Sequence, residues 1–291
     1  MRCFTMPLRE DRPEITLTAY LWDSSSVLPQ GPRPAVLICP GGGYLYLSDR
    51  EAEPIALRFM AMGYQAFVLR YTVYREGGAC VYPDAVIDVG RAMLAIRRNA
   101  EDWQVDAGRV AVCGFSAGGH NVLNYAQWWR KPVFTEALGC AAEALRPAAC
   151  IAGYPVTDGS VVWGERPADD PIMGVFRPYA MAIAGVERPT AEQVRETSPA
   201  MNDASDMPPT FLWATSEDGL VHVRHTLHMA EALSKAGVPF EVHVFERGGH
   251  GLALADQTTS HQPHEMNPDA AKWIDLCAAW LLKRFALEMP E

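Results

Sequence analysis

The 291-residue sequence contains no run of about 18 uncharged apolar residues, and its opening stretch, MRCFTMPLREDRPE, reaches acidic and basic side chains before any apolar segment. That pattern predicts neither a membrane span nor a secretory leader, and reads as an intracellular, cytoplasmic protein. A basic excess is also missing. Lys and Arg number 25 against 35 Asp and Glu, a formal charge of −10, so a surface that neutralises phosphates is not expected and nucleic acid is not an expected partner. The 7 cysteines are odd in number, lack C-x-x-C spacing and mostly lie in apolar runs, which argues against a disulfide scaffold or zinc knuckle. Internal repeats, low-complexity tracts and a dividing linker are absent too. With 49% hydrophobic residues, one large core can take up the chain, and a single domain over 1–291 is expected.

What is present is an alternation of short β-branched or apolar runs with longer helical patterns, the signature of parallel strands joined by crossover helices. Residues 15–22 alternate like an edge or antiparallel strand, whereas AVLIC at 35–39 is continuous and reads as buried. A helix over 51–62, a strand over 65–71, a helix over 85–99 and a strand over 109–113 complete a βαβαβ order. Further on, the pattern predicts a helix to about 129, strands at 148–153, 210–214 and 240–245, and helices at 222–236 and 269–285. Residues 155–209 break this rhythm. Rich in proline and holding Trp163, Phe176 and Tyr179, they are expected to form an irregular cap insertion.

The strongest chemical signal is Gly114-Phe115-Ser116-Ala117-Gly118, which follows the apolar strand RVAVC and opens a helical pattern. A serine in so tight a strand-to-helix turn needs very small neighbours two residues away, and its hydroxyl then stands free at the carboxyl edge of the sheet. A dinucleotide loop would need glycine where Ser116 stands, and a phosphate loop would need a G-K-[ST] ending. Serine is a poor nucleophile without a base, so a histidine on a late loop of the same edge is required. His250, in Gly248-Gly249-His250-Gly251 after the strand FEVHVF, meets that requirement.

The other histidines read differently. His222, His225 and His228 recur every three residues on a helix, but without H-E-x-x-H or an adjacent ligand cluster no metal is expected. His243 reads as a strand residue, His261 and His264 as solvated, and His120 as packed on its helix or flooring the pocket. An acid lying between serine and histidine in the chain is needed to orient the imidazole. Asp218, in Ala214-Thr215-Ser216-Glu217-Asp218-Gly219, is the candidate, with Glu217 and Asp158 in reserve and Asp256 less suited by chain order. Finally, Pro40-Gly41-Gly42-Gly43-Tyr44 after an early strand offers backbone N–H donors for an oxyanion. Gly42 and Gly43 are assigned with Ala117, and which pair of the three glycines acts stays open.

Together, PGGGY, SDREAEPIA, AFVLRYTV, GFSAGGH, PPTFLWATSEDGLV and GVPFEVHVFERGGHGLALAD resemble the α/β-hydrolase superfamily, and within it the acetyl esterase/lipase group that includes xylan esterase-like carbohydrate acetyl esterases. The likeness covers about 35–256. It implies the α/β-hydrolase fold, with a mostly parallel central sheet flanked by helices on both faces. It also implies acyl-serine chemistry through Ser116, His250 and Asp218, no cofactor, and a small-molecule ester such as an acetylated xylo-oligosaccharide as substrate. Many relatives carry histidine at Pro40, so that residue's bracing role does not carry over. Tyr44, Tyr46, Tyr71, Tyr74 and Trp163 are expected near the catalytic edge, either stacking on a sugar or lining an apolar cleft. The rival expectations are an arylformamidase, a prolyl-oligopeptidase-like peptidase, and a noncatalytic receptor on the same fold.

Overall fold

In a computed structural model that describes residues 1–23, 31–164, 166–167 and 169–287, strands β1 (Arg2–Pro7) and β2 (Thr16–Leu21) pair antiparallel. Next come β3 (Arg33–Cys39), α1 (Glu53–Ala61), β4 (Gln65–Arg70), α2 (Asp84–Arg98), β5 (Val105–Phe115), α3 (Ala117–Trp128), α4 (Pro132–Leu138) and β6 (Ala149–Gly153). The short helices α5 (Ser160–Trp163), α6 (Met173–Ala184) and α7 (Ala191–Glu196) lead to β7 (Thr210–Thr215), α8 (Arg224–Lys235), β8 (Phe240–Phe245) and α9 (Trp273–Phe285). The 8 strands form one sheet in the order β1-β2-β4-β3-β5-β6-β7-β8. β2 runs antiparallel to both neighbours, and every other pairing is parallel.

The continuous apolar runs are explained by helices on both faces of the sheet. Along β3, Ala35, Leu37 and Cys39 face the layer that includes α2, α3 and α8, while Val36 and Ile38 face α1 and α9. The same period of two repeats on β5, where Val110 and Val112 face one layer and Ala111 and Cys113 the other. A one-residue slip in either strand would exchange its two faces, so the register is held by both cores at once. Among the described residues no helix is long and apolar enough to cross a membrane.

Two expectations need correction. The sequence reading has no strand at the N-terminus, yet β1 covers the edge of β2, with the Thr5 and Thr18 hydroxyls hydrogen-bonded across the pair at 2.9 Å. Residues 155–209 also carry more regular structure than expected. α6 holds Pro178 in its interior and ends at Gly185 with φ +71°, and α7 opens with a capping box between Thr190 and Gln193.

Candidate active site

Each residue singled out for chemistry follows the carboxyl end of a parallel strand: Gly41 to Gly43 after β3, Ser116 after β5, Asp218 after β7 and His250 after β8. Parallel topology brings all four loops to one edge of the sheet. Ser116 sits in a tight strand-to-helix turn, with φ 52° and ψ −119°, a strained backbone for a residue with a side chain. Its N–H is fixed on the Gly153 carbonyl at 3.0 Å. A Cβ on Gly114 would lie 2.2 Å from the Gly118 carbonyl oxygen, and one on Gly118 would lie 2.0 Å from that of Cys39. Both glycines are therefore required by contact between strand, turn and helix.

Ser116 Oγ lies 2.8 Å from His250 Nε2, and His250 Nδ1 lies 2.7 Å from Asp218 Oδ2. A carboxylate accepts, so Nδ1 carries the ring proton and Nε2 presents its lone pair to the serine hydroxyl. Asp218 is buried, and its other oxygen accepts the N–H groups of Leu220 at 3.0 Å and Val221 at 2.9 Å. The reserve acids lie elsewhere. Asp158 Oδ2 meets His228 Nδ1 at 2.6 Å, Glu217 accepts the Gly248 N–H at 3.2 Å, and Asp256 accepts that of Thr258 at 2.9 Å.

In the glycine loop the Gly41 N–H is donated to Glu51 Oε2 at 2.7 Å. Among the described residues the N–H groups of Gly42, Gly43 and Ala117 have no acceptor, and these three residues line the same cavity of about 250 Å³ as Ser116 and His250. The loop backbone is held from behind, because the Tyr71 hydroxyl donates to the Pro40 carbonyl at 2.6 Å. Gly42 has φ +125° and Gly43 φ +64°, and a Cβ at Gly42 would lie 2.1 Å from the Tyr46 carbonyl oxygen. Only glycine relieves both constraints at Gly42.

Most of the expected aromatic residues are not on the cavity. Tyr44 and Tyr71 are fully buried behind the loop, Trp163 lines a separate cleft, and of the five named only Tyr46 lines this cavity. Its apolar wall comes instead from Val156, Val175, Phe176, Tyr179, Leu220 and Val221, while Ser48 and Arg50 add polar groups. Phe176 and Tyr179 were visible in sequence only as aromatics in an unassigned segment. Glu51 was hidden in the charged run SDRE.

Most of the remaining histidines have structural partners. His120 is buried between the Tyr44 hydroxyl and the Thr197 carbonyl, and burial lowers its pKa to about 4. His225 accepts the N–H groups of Thr157 and Asp158 on Nδ1, and burial lowers its pKa to about 3. His243 packs against the Phe211 ring and bonds Glu241, whereas His261 and His264 are exposed. Among the described residues no group of three or more histidine, cysteine or acidic side chains is arranged to hold a metal ion.

A family model described as the alpha/beta hydrolase fold matches residues 36–254. Endo-1,4-beta-xylanase B of Butyrivibrio fibrisolvens is 31% identical over 229 residues, 77% of this chain and 33% of that protein. The chain spans 33% and 49% of the two curated relatives matched first. Among solved structures, a carboxylesterase from Lactobacillus plantarum has a TM-score of 0.81 and 28% identity, covering 100% of both chains. An acetyl ester-xyloside bifunctional hydrolase from Caldicellulosiruptor lactoaceticus has a TM-score of 0.75 and 30% identity, covering 97% of this chain and 96% of its own. Sheet order, strand-to-helix serine turn and family match agree: this chain belongs to the α/β-hydrolase family.

Proposed function

We propose that the chain is a serine carboxylesterase that removes short acyl groups, acetyl foremost, from a hydroxylated compound such as an acetylated xylo-oligosaccharide. The observation that carries this reading is the placement of His250 between Ser116 Oγ at 2.8 Å and Asp218 at 2.7 Å, beside unpaired N–H groups in one cavity. In this reading Ser116 attacks the ester carbonyl while His250 Nε2 takes its proton, and the oxyanion is received by the Gly42, Gly43 and Ala117 N–H groups. The imidazolium, stabilised by Asp218, then protonates the departing alcohol. Water attacks the acyl-serine with His250 again as base, releasing the carboxylic acid and restoring Ser116.

A small acyl group fits the cavity of about 250 Å³ and its largely apolar wall. The substrate class is supported by the similar acetyl ester-xyloside hydrolase and by the matched segment of the xylanase. We further assign residues 155–209 to shaping the pocket within a single domain, since Val156, Val175, Phe176 and Tyr179 come from that stretch.

The test is acetate release by wild type and Ser116→Ala protein from acetylated xylo-oligosaccharides and from aryl esters of increasing acyl length. Serine-dependent release favouring the acetylated sugars is expected. Serine-dependent activity confined to aryl or longer esters removes the sugar from the proposal, and release that survives Ser116→Ala removes the mechanism.

A further inference from the structure

In the cavity wall, one buried carboxylate is bonded to both halves of the candidate site. Glu51 is 4% exposed; its Oε2 accepts the Gly41 N–H at 2.7 Å and its Oε1 the Tyr154 hydroxyl at 2.7 Å. The Tyr154 oxygen in turn accepts the Ala253 N–H at 2.9 Å, on the loop that carries His250. The Tyr154 ring also stands edge-on to the His250 imidazole, with centroids 5.1 Å apart. An unbroken chain of hydrogen bonds therefore runs from the glycine loop to the histidine loop, with Glu51 as its one acidic member.

The direction of each donor in that chain is fixed. Gly41 and Ala253 contribute backbone N–H groups, which only donate, and Tyr154, having accepted from Ala253, spends its own proton on Glu51. Both carboxylate oxygens are thus supplied with donors, and the set is complete when Glu51 is ionised. A protonated Glu51 would keep acceptor capacity but add an O–H donor to a set already made of donors.

Burial pushes the Glu51 pKa up, while the Tyr154 and Gly41 hydrogen bonds and the charges of His250 and Arg50 oppose that rise. Arg50, the preceding residue, reaches the same C-terminal loop region, bonding the Thr259 carbonyl and Glu265. A carboxylate buried among neutral donors is costly to desolvate, and here it is the acceptor for one donor on each side of the site. The geometry gives the carboxylate a second use.

We propose that Glu51 is a positioning residue for the reaction, setting the spacing between the oxyanion donors and the base. Through Gly41 it fixes the loop that presents Gly42 and Gly43, and through Tyr154 and Ala253 it fixes the loop that presents His250. This inference rests on the serine-esterase reading above.

The experiment compares wild type, Ser116→Ala, Glu51→Gln, Tyr154→Phe and the Glu51→Gln/Tyr154→Phe double variant of the full chain, with p-nitrophenyl acetate as substrate. Circular dichroism and thermal melting establish that each protein is folded. The amide of Glu51→Gln turns one acceptor into a donor facing a donor, so kcat is expected to fall on the order of tenfold to a hundredfold with KM within about twofold. The double variant is expected to lose less than the product of the two single losses, since both act through one chain of bonds. A merely structural role would lower the melting temperature and leave kcat of the folded protein unchanged.

Wild-type kcat in folded Glu51→Gln, with Ser116→Ala inactive, overturns the inference and leaves the esterase reading standing. Undiminished turnover by Ser116→Ala overturns both. If Glu51→Gln does not fold, Tyr154→Phe decides: a fall in kcat at constant KM supports the inference, and unchanged kcat overturns it.

Discussion

The Tyr44 hydroxyl donates to His120 Nδ1 at 2.7 Å, and the opposite ring nitrogen donates to the Thr197 carbonyl at 2.6 Å. One neutral imidazole so joins the glycine loop, helix α3 and the segment after α7. Because a carbonyl only accepts, Nε2 must carry the proton. Burial lowers the pKa to about 4, and that of His225 to about 3, against an ordinary histidine value of about 6.5. A depressed histidine binds its proton first in the unfolded chain. Its contribution to stability is therefore present above about pH 6.5 and is lost progressively as the pH falls toward the folded value.

Each of these two histidines is expected to withdraw on the order of 3 kcal/mol over its full window. Most carboxylates remain ionised between pH 7 and 5, so in that interval the histidines dominate, opposed by the buried Glu51 and Asp88, whose pKa values burial raises. Glu51, with its raised pKa, acts in the opposite sense and becomes less costly as the pH falls through its folded value. Urea unfolding at half-unit pH steps should show stability falling from about pH 6.5 downward, with a slope approaching two protons. A flat profile from pH 7 to 5 would contradict the assignment.

Asp218→Asn and Asp158→Asn should behave oppositely, although both remove a buried carboxylate paired with a histidine. Asp218 faces His250 and Asp158 faces His228. An asparagine at 218 favours the wrong imidazole tautomer, a change that costs about 10⁴ in kcat in the well-studied serine protease triad. At Asp158 burial raises the pKa, but the Ser160 and His228 hydrogen bonds outweigh it and hold the carboxyl below its ordinary value. Asp158→Asn should therefore lower stability and leave kcat within about twofold of wild type. Steady-state kinetics with p-nitrophenyl acetate on both proteins reads the difference directly.

The same Gly→Ala change should have graded effects at three positions. At Gly118 the new Cβ would meet the Cys39 carbonyl oxygen at 2.0 Å, and at Gly114 the Gly118 carbonyl oxygen at 2.2 Å. Backbone cannot yield there without separating α3 from β3 at Gly118 or from the end of β5 at Gly114, so little or no folded protein is expected from either variant. At Gly139, with φ +58° and nothing within 4 Å, only the left-handed backbone is penalised, at about 1–2 kcal/mol. Soluble yield and melting temperature order the three.

What was legible in the sequence was whatever a short window contains. AVLIC and RVAVC announce buried strands because both faces are covered, and G-x-S-x-G announces its turn because the small residues it needs all fall within five positions. β1 was not legible, since nearly all of it is exposed and it has no apolar period. α6 was obscured by Pro178. Glu51, Tyr154 and Ala253 are 103 and 99 positions apart along their chain of bonds, and no local pattern records such a link. Tyr44 and Tyr71 were misplaced for a related reason. A tyrosine beside a catalytic loop looks like a ligand platform until its hydroxyl is seen bonded into the core.

Phe176 offers the sharpest test of whether α6 sets substrate size. It is 3% exposed yet lines the cavity that holds Ser116 and His250, so in the proposed reaction its ring closes one side of the space left to an acyl chain. Phe176→Leu keeps the wall apolar while opening room for further methylenes, each of which is worth about 1–3 kcal/mol in such a pocket. The ratio of kcat/KM for butyrate to acetate esters should therefore rise about tenfold or more, mostly through gain on butyrate. Phe176→Ala should extend the range further, at a stability cost of about 3–5 kcal/mol. The check is a p-nitrophenyl ester series from two to eight carbons on all three proteins. An unchanged ratio in both variants would place the acyl chain toward the more exposed Leu45 and Tyr46, and leave α6 to contact the alcohol.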